Sequence, residues 1–416
     1  MDNYFTSLIS FYGNTSPREL IKKYGSPLYV YNESILRQRC REMVSLVSYP
    51  RFSVNYSCKA NTNLELLRII RQEGIHADAI SPGEVHILLE AGYKPEEIFY
   101  ISNNISKEEM RTIIDKGILI SIDSLSQLEQ YGEMNPGGSV SIRLNPGLGV
   151  GHHKKVITAG DDTKFGIDLE LIPRVKEIAR KYELKIVGIN HHLGSLFMEG
   201  DVFIEGAKLL LSVAKEFSDL DFIDIGGGFG IPYRKQENEP RLDLRNFGKK
   251  LSPILENWAK EYGKQVEFIV EPGRYIVAES GVVLGKVHTI KENHSTSYIG
   301  TDIGFNVLAR PMLYDAHHDI EVYKINENCL EKNYNKVTIV GNICESGDII
   351  ARDRLLPEIA EGDIIGIVDA GAYGYCMSSN YNSRLRPAEV LITAEGKDVL
   401  IRRRDTLDDL MRGFLP

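Results

Sequence analysis

Residues 51–92, RFSVNYSCKANTNLELLRIIRQEGIHADAISPGEVHILLEAG, contain a strand-and-helix unit twice in succession. FSVNYS (52–57) and IHADAI (75–80) are short apolar, β-branched runs of strand type. NLELLRIIRQEG and PGEVHILLEAG carry apolar residues at i, i+3, i+4 and i+7, the period of an amphipathic helix, and glycine closes each of them. Working outward, the same texture continues through EIFYIS (97–102), ILISID (118–123), SVSIRL (139–144), KIVGIN (185–190), DFIDIG (221–226) and VEFIVE (266–271). SILRQRCREMVSLV supplies a helix ahead of the first strand. Strands alternating with helices in this number predict an α/β fold, a (β/α)8 barrel of the TIM type, with a doubly wound open sheet as the competing topology.

After about residue 280 the pattern changes to short strands with turns between them: GVVLGKVHTIKE, TSYIGTDIG, DIEVYKI, KVTIVGNI, DIIGIVDAGAYG and EVLITAEGKDVLIRRR. This is a second, mainly β domain. SPLYVYN near residue 26 is also strand-like and is expected to pair with it. The expected division is an N-terminal segment (1–32), a barrel (33–280) and a β domain (281–416).

Polar residues cluster directly after the predicted strands. Lys59 and Asn61 follow the first, Ser81 the second, Asn103 and Asn104 the third and Asn145 the fifth. His191, His192 and Ser195 follow the sixth, Gly227 and Gly228 the seventh, and Arg274 the eighth. Active sites of barrels lie at the C-terminal ends of the strands, so these residues are expected on one rim.

The bulk properties exclude several functions. A net charge of −9 argues against nucleic acid as the main partner. No window approaches the ~20 apolar residues a membrane-spanning helix needs. The N-terminus lacks a basic region followed by an apolar core, so no secretory signal is expected. Five scattered cysteines without a CxxC pair speak against a disulfide framework or a zinc site and for a reducing cytoplasm.

Individual motifs point to chemistry. A lysine at the end of a buried strand, Lys59 in NYSCKANTN, suits covalent imine chemistry, because desolvation lowers its pKa; the alternative is a snorkelling surface lysine. DIGGGFGIP (224–232) is a glycine run inside a strand ending, Gly226, Gly227 and Gly228, which suits close approach to a phosphate and departs from the dinucleotide pattern. EPGRY (271–275) brings Glu271, Gly273 and Arg274 to the eighth strand end. There a carboxylate can face a ring nitrogen and a guanidinium can hold a phosphate or carboxylate, or the two can form a structural pair. HHLGS (191–195) sets an imidazole beside a hydroxyl. No metal-binding spacing accompanies it, so no metal is expected, although GHH (151–153) offers further histidines and GHHKK a basic loop. CESGD (344–348) pairs Cys344 with Glu345, either as an acid pair or as inert packing. GAYGYCMSSNYNSRLRP (371–387) suits a pocket wall or a subunit interface.

The ordered set YSCKAN, HLGS, GGGFGIP, EPGRYIVAESG, ARPMLYDAHH, CESGD, GAYGYCMSSNYN and RPAEV, from about residue 25 to the C-terminus, resembles the fold-type III pyridoxal-phosphate-dependent decarboxylase family. The resemblance implies a barrel followed by a β domain, and pyridoxal 5'-phosphate bound to Lys59. It implies that His192 stacks on the cofactor ring, that Asp78 lies near the lysine, and that Ser195 and Gly226–Gly228 hold the phosphate. Glu271 then pairs with the ring nitrogen, Arg274 binds phosphate or a substrate carboxylate, and Tyr373 sits at the phosphate and substrate. Cys344 and Glu345 are implied to reach the neighbouring subunit's site in a homodimer, with Cys344 as proton donor. Arg310 and Tyr314 match the pattern for gripping a distal amino-acid end, so the expected reaction is meso-2,6-diaminopimelate to L-lysine and CO2. A related carboxylated amino acid is the alternative. The loop 147–163, ahead of Lys164–Ile167, and Asn190, where histidine is frequent, depart from the commonest form and are expected to touch specificity at the rim. Alanine racemase shares this type of barrel, but CESGD suits a decarboxylase acid and not a second racemase base.

Overall fold

The computed structural model describes residues 4–147, 150–151, 163–325 and 333–415. It divides into two compact units, Gln38–Ile231 with Arg241–Ile276, and Met1–Arg37 with Pro232–Pro240 and Val277–Pro416.

After an N-terminal strand β1 (Leu28–Asn32), the first unit carries all eight predicted strands: β2 (Phe52–Ser57), β3 (His76–Ala79), β4 (Ile98–Ile101), β5 (Leu119–Ile122), β6 (Ser139–Asn145), β7 (Lys185–Asn190), β8 (Phe222–Gly227) and β9 (Glu267–Glu271). Each is parallel to the next in chain order, and β9 pairs back onto β2 with Phe268 opposite Phe52. The sheet is therefore closed, which rules out the open-sheet alternative. Eight helices alternate with these strands: α1 (Glu33–Val44), α2 (Leu64–Gln72), α3 (Pro82–Glu90), α4 (Lys107–Asp115), α5 (Leu125–Met134), α6 (Ile172–Lys181), α7 (Asp201–Ala214) and α8 (Leu244–Tyr262). Several begin on a side-chain cap. Ser81, Ser106 and Ser124 each accept the N–H of the residue three positions on, and Asn63 accepts that of Glu65. Ser81, expected at the active rim, is thus the N-cap of α3.

The barrel interior is filled from opposite walls. Phe99 on β4 and Phe222 on β8 lie across the barrel from one another in strand order, and their rings meet edge to face at 5.4 Å. Ile101, Leu119, Val187 and Ile269 pack with them. Gly188 makes room for this plug, since a Cβ there would lie 2.1 Å from the Phe222 ring. Side chains two apart on a strand share a face. Phe222 is therefore followed on the inner face by Asp224, Ile269 by Glu271, and Leu119 by Ser121. An apolar plug thus gives way to a polar layer toward the strand C-termini, the arrangement on which barrel enzymes build their sites.

The second unit is a nine-stranded, mainly antiparallel sheet. Its further strands are β10 (Gly281–Asn293), β11 (Thr296–Thr301), β12 (Ile320–Tyr323), β13 (Tyr334–Val340), β14 (Ile349–Pro357), β15 (Ile364–Ile367), β16 (Ala388–Ile392) and β17 (Asp398–Arg402). The order is β14-β13-β11-β10-β1-β16-β17, with β15 between β10 and β12. The N-terminal strand β1 sits between β10 and β16, as its sequence suggested. Alternate residues Leu28 and Val30, Val282 and Leu284, and Val390 and Ile392 enter one core with Phe11 and Leu20. No helix among the described residues is long and apolar enough to cross a membrane.

Candidate active site

β2 ends at Ser57 and the chain makes one 3-10 turn, Cys58–Ala60. Cys58 and Ala60 turn inward and are fully buried, so Lys59 between them points out and is exposed. The expected burial of this lysine is not seen, because it stands two residues beyond the strand end, in the turn. Its charge is nevertheless felt at the barrel mouth, where it draws down the carboxyls of Asp78 and Glu271 and depresses His192. The neighbouring asparagines shape the turn: Tyr56 donates to the Asn61 carbonyl, Asn61 Oδ1 accepts from Asn63 N–H, and Asn63 caps α2. Asn61 is buried, and its part in this turn is structural. Gly273 lets the chain after β9 approach this turn; a Cβ there would lie 3.0 Å from that of Ser57 and 3.2 Å from that of Ala60.

Beneath Lys59 lies an ionisable layer. Asp78, Asp224 and Glu271 are buried, and so is Arg143, whose guanidinium lies over the Phe165 ring at 4.6 Å. Asp78 Oδ2 accepts from Ser57 Oγ at 2.7 Å, and Asp224 Oδ1 accepts from Gly226 N–H at 2.8 Å. Burial raises all three carboxyls, Asp224 to about 7, and mutual repulsion raises Asp78 and Glu271 further. Burial lowers Arg143, and the surrounding carboxylates oppose that shift. Among the described residues Asp78 Oδ1, Asp224 Oδ2 and Glu271 Oε1 are buried with no N–H bonded to them, and the Asp224 and Glu271 carboxyls interact with each other. Buried polar atoms ordinarily have partners, so these oxygens mark where a cationic N–H belongs. Burial depresses His191 to about 4, and burial and the Lys59 charge hold His192 well below its ordinary value, so both imidazoles are neutral at neutral pH.

These shifts give a stability prediction. The folded, cofactor-free protein holds protons on Asp224 and Glu271 that the unfolded chain has released above about pH 4.5. Stability is then greatest on the acid side of their titration and falls as pH rises, by ~1.4 kcal/mol per pH unit for each proton held only by the folded state. In Glu271→Gln this slope should be shallower between about pH 5 and pH 7 in urea melts, above the unfolded carboxyl range and up to the Asp224 titration. Equal slopes in both proteins would contradict the assignment.

Around the layer, Arg274 Nη2 donates to Ser195 Oγ at 3.0 Å, which joins a cation and a hydroxyl across two strand ends. The glycine run packs more tightly than a flexible loop. A Cβ on Gly226 (φ +80°) would lie 2.4 Å from the His191 carbonyl, one on Gly227 1.9 Å from that of Glu271, and one on Gly228 (φ +102°) 2.5 Å from that of Gly194. The N–H of Gly226 bonds Asp224 and that of Gly227 donates to His192 Nδ1 at 3.2 Å. Two of the three N–H groups are thus used within the protein, where they set Asp224 and the His192 ring. Asn190 is likewise buried and accepts from Ser121 Oγ at 2.6 Å, so it is tied to a neighbour inside the barrel and does not line the rim. Asn103 donates to Asp123 at 2.5 Å, and Asn145 to Asp168 at 3.2 Å. His152, His153 and most of loop 147–163 lie outside the described residues.

The remaining candidates belong to the β unit. Arg310 begins the short helix Arg310–Tyr314 and is buried, with Tyr314 half-buried at its end. Tyr373 adopts a left-handed backbone (φ +54°), uncommon for a bulky residue and often found where a side chain is held in place for function. Cys344 and Glu345 are exposed, which removes inert packing as a reading of Cys344. Their loop is pinned: Cys344 N–H donates to Asn382 Oδ1 at 2.9 Å, Tyr381 donates to Glu345 Oε1 at 2.6 Å, and Asp348 accepts the N–H groups of Phe305 and Ile343. Sequence reasoning missed Arg143, Asp123 and Asp224. All are charged residues in or directly after an otherwise apolar strand, and strand alternation carries enough signal to find them.

The family model described as pyridoxal-dependent decarboxylase, pyridoxal binding domain, matches residues 33–278. Diaminopimelate decarboxylase of Methanothermobacter thermautotrophicus is 43% identical over 96% of this chain and 94% of its own length, and that of Escherichia coli K12 is 33% identical over 94% of each. The crystal structure of diaminopimelate decarboxylase from Helicobacter pylori complexed with L-lysine superposes with a TM-score of 0.86 at 31% identity, covering 95% of this chain and 98% of that one. A closed barrel with a lysine above buried carboxylates, joined to a nine-stranded β unit, thus occurs in a chain related to these enzymes over nearly its whole length, and this chain belongs to the diaminopimelate decarboxylase family of pyridoxal-dependent decarboxylases.

Proposed function

We propose that the protein uses pyridoxal 5'-phosphate, carried on Lys59, to decarboxylate meso-2,6-diaminopimelate to L-lysine and CO2. The observation that carries this reading is the electrostatic reach of Lys59 to Asp78 and Glu271, each of which has one buried oxygen with no N–H bonded to it. These buried oxygens fit a protonated ring nitrogen, a neutral His192 fits a planar ring face, and the Arg274–Ser195 pair fits a phosphate. When bound, the cofactor supplies an electron sink for the pair left on Cα by departing CO2.

The chain's own residues supply the rest. Lys59 would hold the cofactor and release it to the substrate amine, leaving as a free amine that takes up the proton the substrate amine loses. Glu271 would pair with the ring nitrogen and favour its protonated form, with Asp78 beside it. Gly227 N–H fixes the orientation of His192 through Nδ1. Arg274, Ser195, the close-packed Gly226–Gly228 turn and Tyr373 anchor the phosphate end, with Gly273 allowing the approach. Arg310 and Tyr314 take the distal amino-acid end. In the reaction one C–C bond breaks, CO2 leaves, and Cα gains one proton, which Cys344 of the partner subunit delivers from Sγ while its neighbour Glu345 faces the substrate.

That last role makes the enzyme a homodimer with shared sites, and the exposed, pinned Cys344–Glu345 loop suits such an exchange. The four described cysteines are free thiols, in keeping with a reducing cytoplasm. Cys344→Ala should slow product formation by about a hundredfold, the scale of a lost general acid, with cofactor absorbance unchanged. Full activity would rule out its role as acid.

The assignment is tested by offering the cofactor-loaded protein meso-diaminopimelate, L-lysine, L-ornithine and L-arginine and measuring CO2 and product. CO2 and L-lysine in equal amounts from diaminopimelate alone are expected. Release from a different amino acid would favour a decarboxylase for that substrate, and racemisation without CO2 would remove the decarboxylase reading altogether.

A further inference from the structure

We infer that Asn382 is a positioning residue that holds the Cys344–Glu345 loop in the attitude in which it serves the neighbouring subunit's site, a role that rests on the reading of Cys344 as the proton donor given above. One pair of neighbours in the chain grips another. Asn382 Oδ1 accepts the N–H of Cys344 at 2.9 Å, and the Tyr381 hydroxyl donates to Glu345 Oε1 at 2.6 Å. The carboxamide oxygen takes the backbone N–H of the cysteine, so it sets where the side chain starts without drawing on Sγ. Asn382 lies in the one-turn 3-10 segment Tyr381–Ser383 with a left-handed backbone, φ +54°. Asparagine is among the few non-glycine residues at ease there, and it alone brings both that backbone and a neutral acceptor.

The turn that carries Asn382 is itself held from behind. Asn380 Nδ2 donates to the Arg384 carbonyl at 2.9 Å and to Asp405 Oδ2 at 3.1 Å, and the same carboxylate oxygen accepts the N–H of Arg386 at 3.1 Å. Ser379 N–H donates to the Asn306 carbonyl at 2.9 Å, and the Tyr381 ring centre lies 5.4 Å from that of Phe305. Phe305 N–H in turn donates to Asp348 at 2.7 Å, and Asp348 also accepts Ile343 N–H at 2.8 Å. A circuit thus runs from Cys344 and Glu345 through Asn382, Tyr381 and Phe305 back to Asp348. Cys344, Glu345, Tyr381 and Asn382 are nevertheless all exposed in the single chain. Surface loops are ordinarily mobile, and here directed hydrogen bonds do what burial does elsewhere. A general acid must stand within hydrogen-bond reach of the atom it protonates, so a loop that acts on another subunit gains from being set in advance.

The test compares two hybrid dimers of the cofactor-loaded enzyme, purified through different tags on their two chains. Each carries one Lys59→Ala and one Asn382→Gly, on different chains in the first hybrid and on the same chain, beside a wild-type one, in the second. Glycine fits a left-handed backbone, so Asn382→Gly removes the acceptor without strain. In the first hybrid the surviving Lys59 is served by an intact Asn382, and diaminopimelate turnover should be about half that of wild type, one site of a symmetric pair. In the second that site is served by the altered loop, and kcat should be about tenfold lower again, the scale of one lost hydrogen bond, with KM unchanged. The two hybrids have the same composition, so a merely structural loss would affect both alike. Equal turnover, or the reverse order, would overturn the inference. The same hybrids built with Cys344→Ala separate the readings: no difference there defeats the shared site and the inference with it, whereas a difference there but not with Asn382→Gly defeats only the role of Asn382. In the ordinary dimer Asn382→Asp, which keeps an acceptor and tolerates the backbone, should stay near wild type, and a loss equal to that of glycine would overturn the inference. Apart from turnover, hydrogen exchange at the Cys344 amide should be about tenfold faster in Asn382→Gly; an unchanged rate would equally overturn it.

Discussion

Replacing Lys59 with alanine should lower CO2 release from meso-diaminopimelate by about a thousandfold or more, ~4 kcal/mol of activation free energy, and should abolish the visible absorption band of the cofactor-loaded protein. The size of the effect follows from position. Lys59 stands at the C-terminal end of β2 on a one-turn helix whose flanking residues are buried, so its amine is presented to the mouth. Its charge acts on Asp78, Glu271 and His192, the groups that would surround a bound ring. Cofactor and substrate exchange at one amine, and no arrangement of the surrounding carboxyls can replace it. An alanine variant with wild-type turnover and an unchanged spectrum would place the chemistry elsewhere.

Arg310→Ala should lower kcat/KM for diaminopimelate by ~2 kcal/mol or more, about thirtyfold, the scale of a lost charge-assisted contact. Lysine at this position should not restore it, because an ammonium lacks the planar fork that meets a carboxylate through two parallel hydrogen bonds. The guanidinium is buried, 2.7 Å from His318 Nε2 and over the Tyr233 ring at 4.6 Å. A guanidinium meets a carboxylate through a charge-assisted, bidentate pair, and that is the contribution the variant removes. Equal kcat/KM values in the two proteins would leave the choice of diaminopimelate without a structural basis in this arginine.

The barrel was legible in the sequence because its signal is periodic. All eight strands, and the helices read at NLELLRIIRQEG and PGEVHILLEAG, lie where hydrophobic spacing and glycine stops put them, and β1 joins the β sheet as SPLYVYN suggested. Closure was not legible, since it depends on β9 meeting β2 about two hundred residues away. The rim was legible in part. Position after a strand does not separate a chemical group from a structural one, so Ser81 and Asn61 looked like Lys59 until their hydrogen bonds placed them as cap and turn. The glycine run was rightly singled out, but the close approach it allows is chiefly between protein backbones, which the sequence does not reveal. Asp224 and Arg143 were passed over because a charge inside an apolar strand looks like noise until alternation shows it facing inward above a plug of phenylalanine. The mount of Arg310 could not be read at all, because it joins segments separated by tens of residues through Tyr233, His318 and the Val368 carbonyl.

The central claim is that one lysine carries the cofactor. It is tested most directly by reducing the pyridoxal-phosphate-loaded protein with borohydride, digesting it and locating the pyridoxyl group by mass spectrometry. A single modified peptide spanning NYSCKANTN, with the label on Lys59, is the expected result. A label on another lysine, or none on protein that still releases CO2 from diaminopimelate, would contradict it.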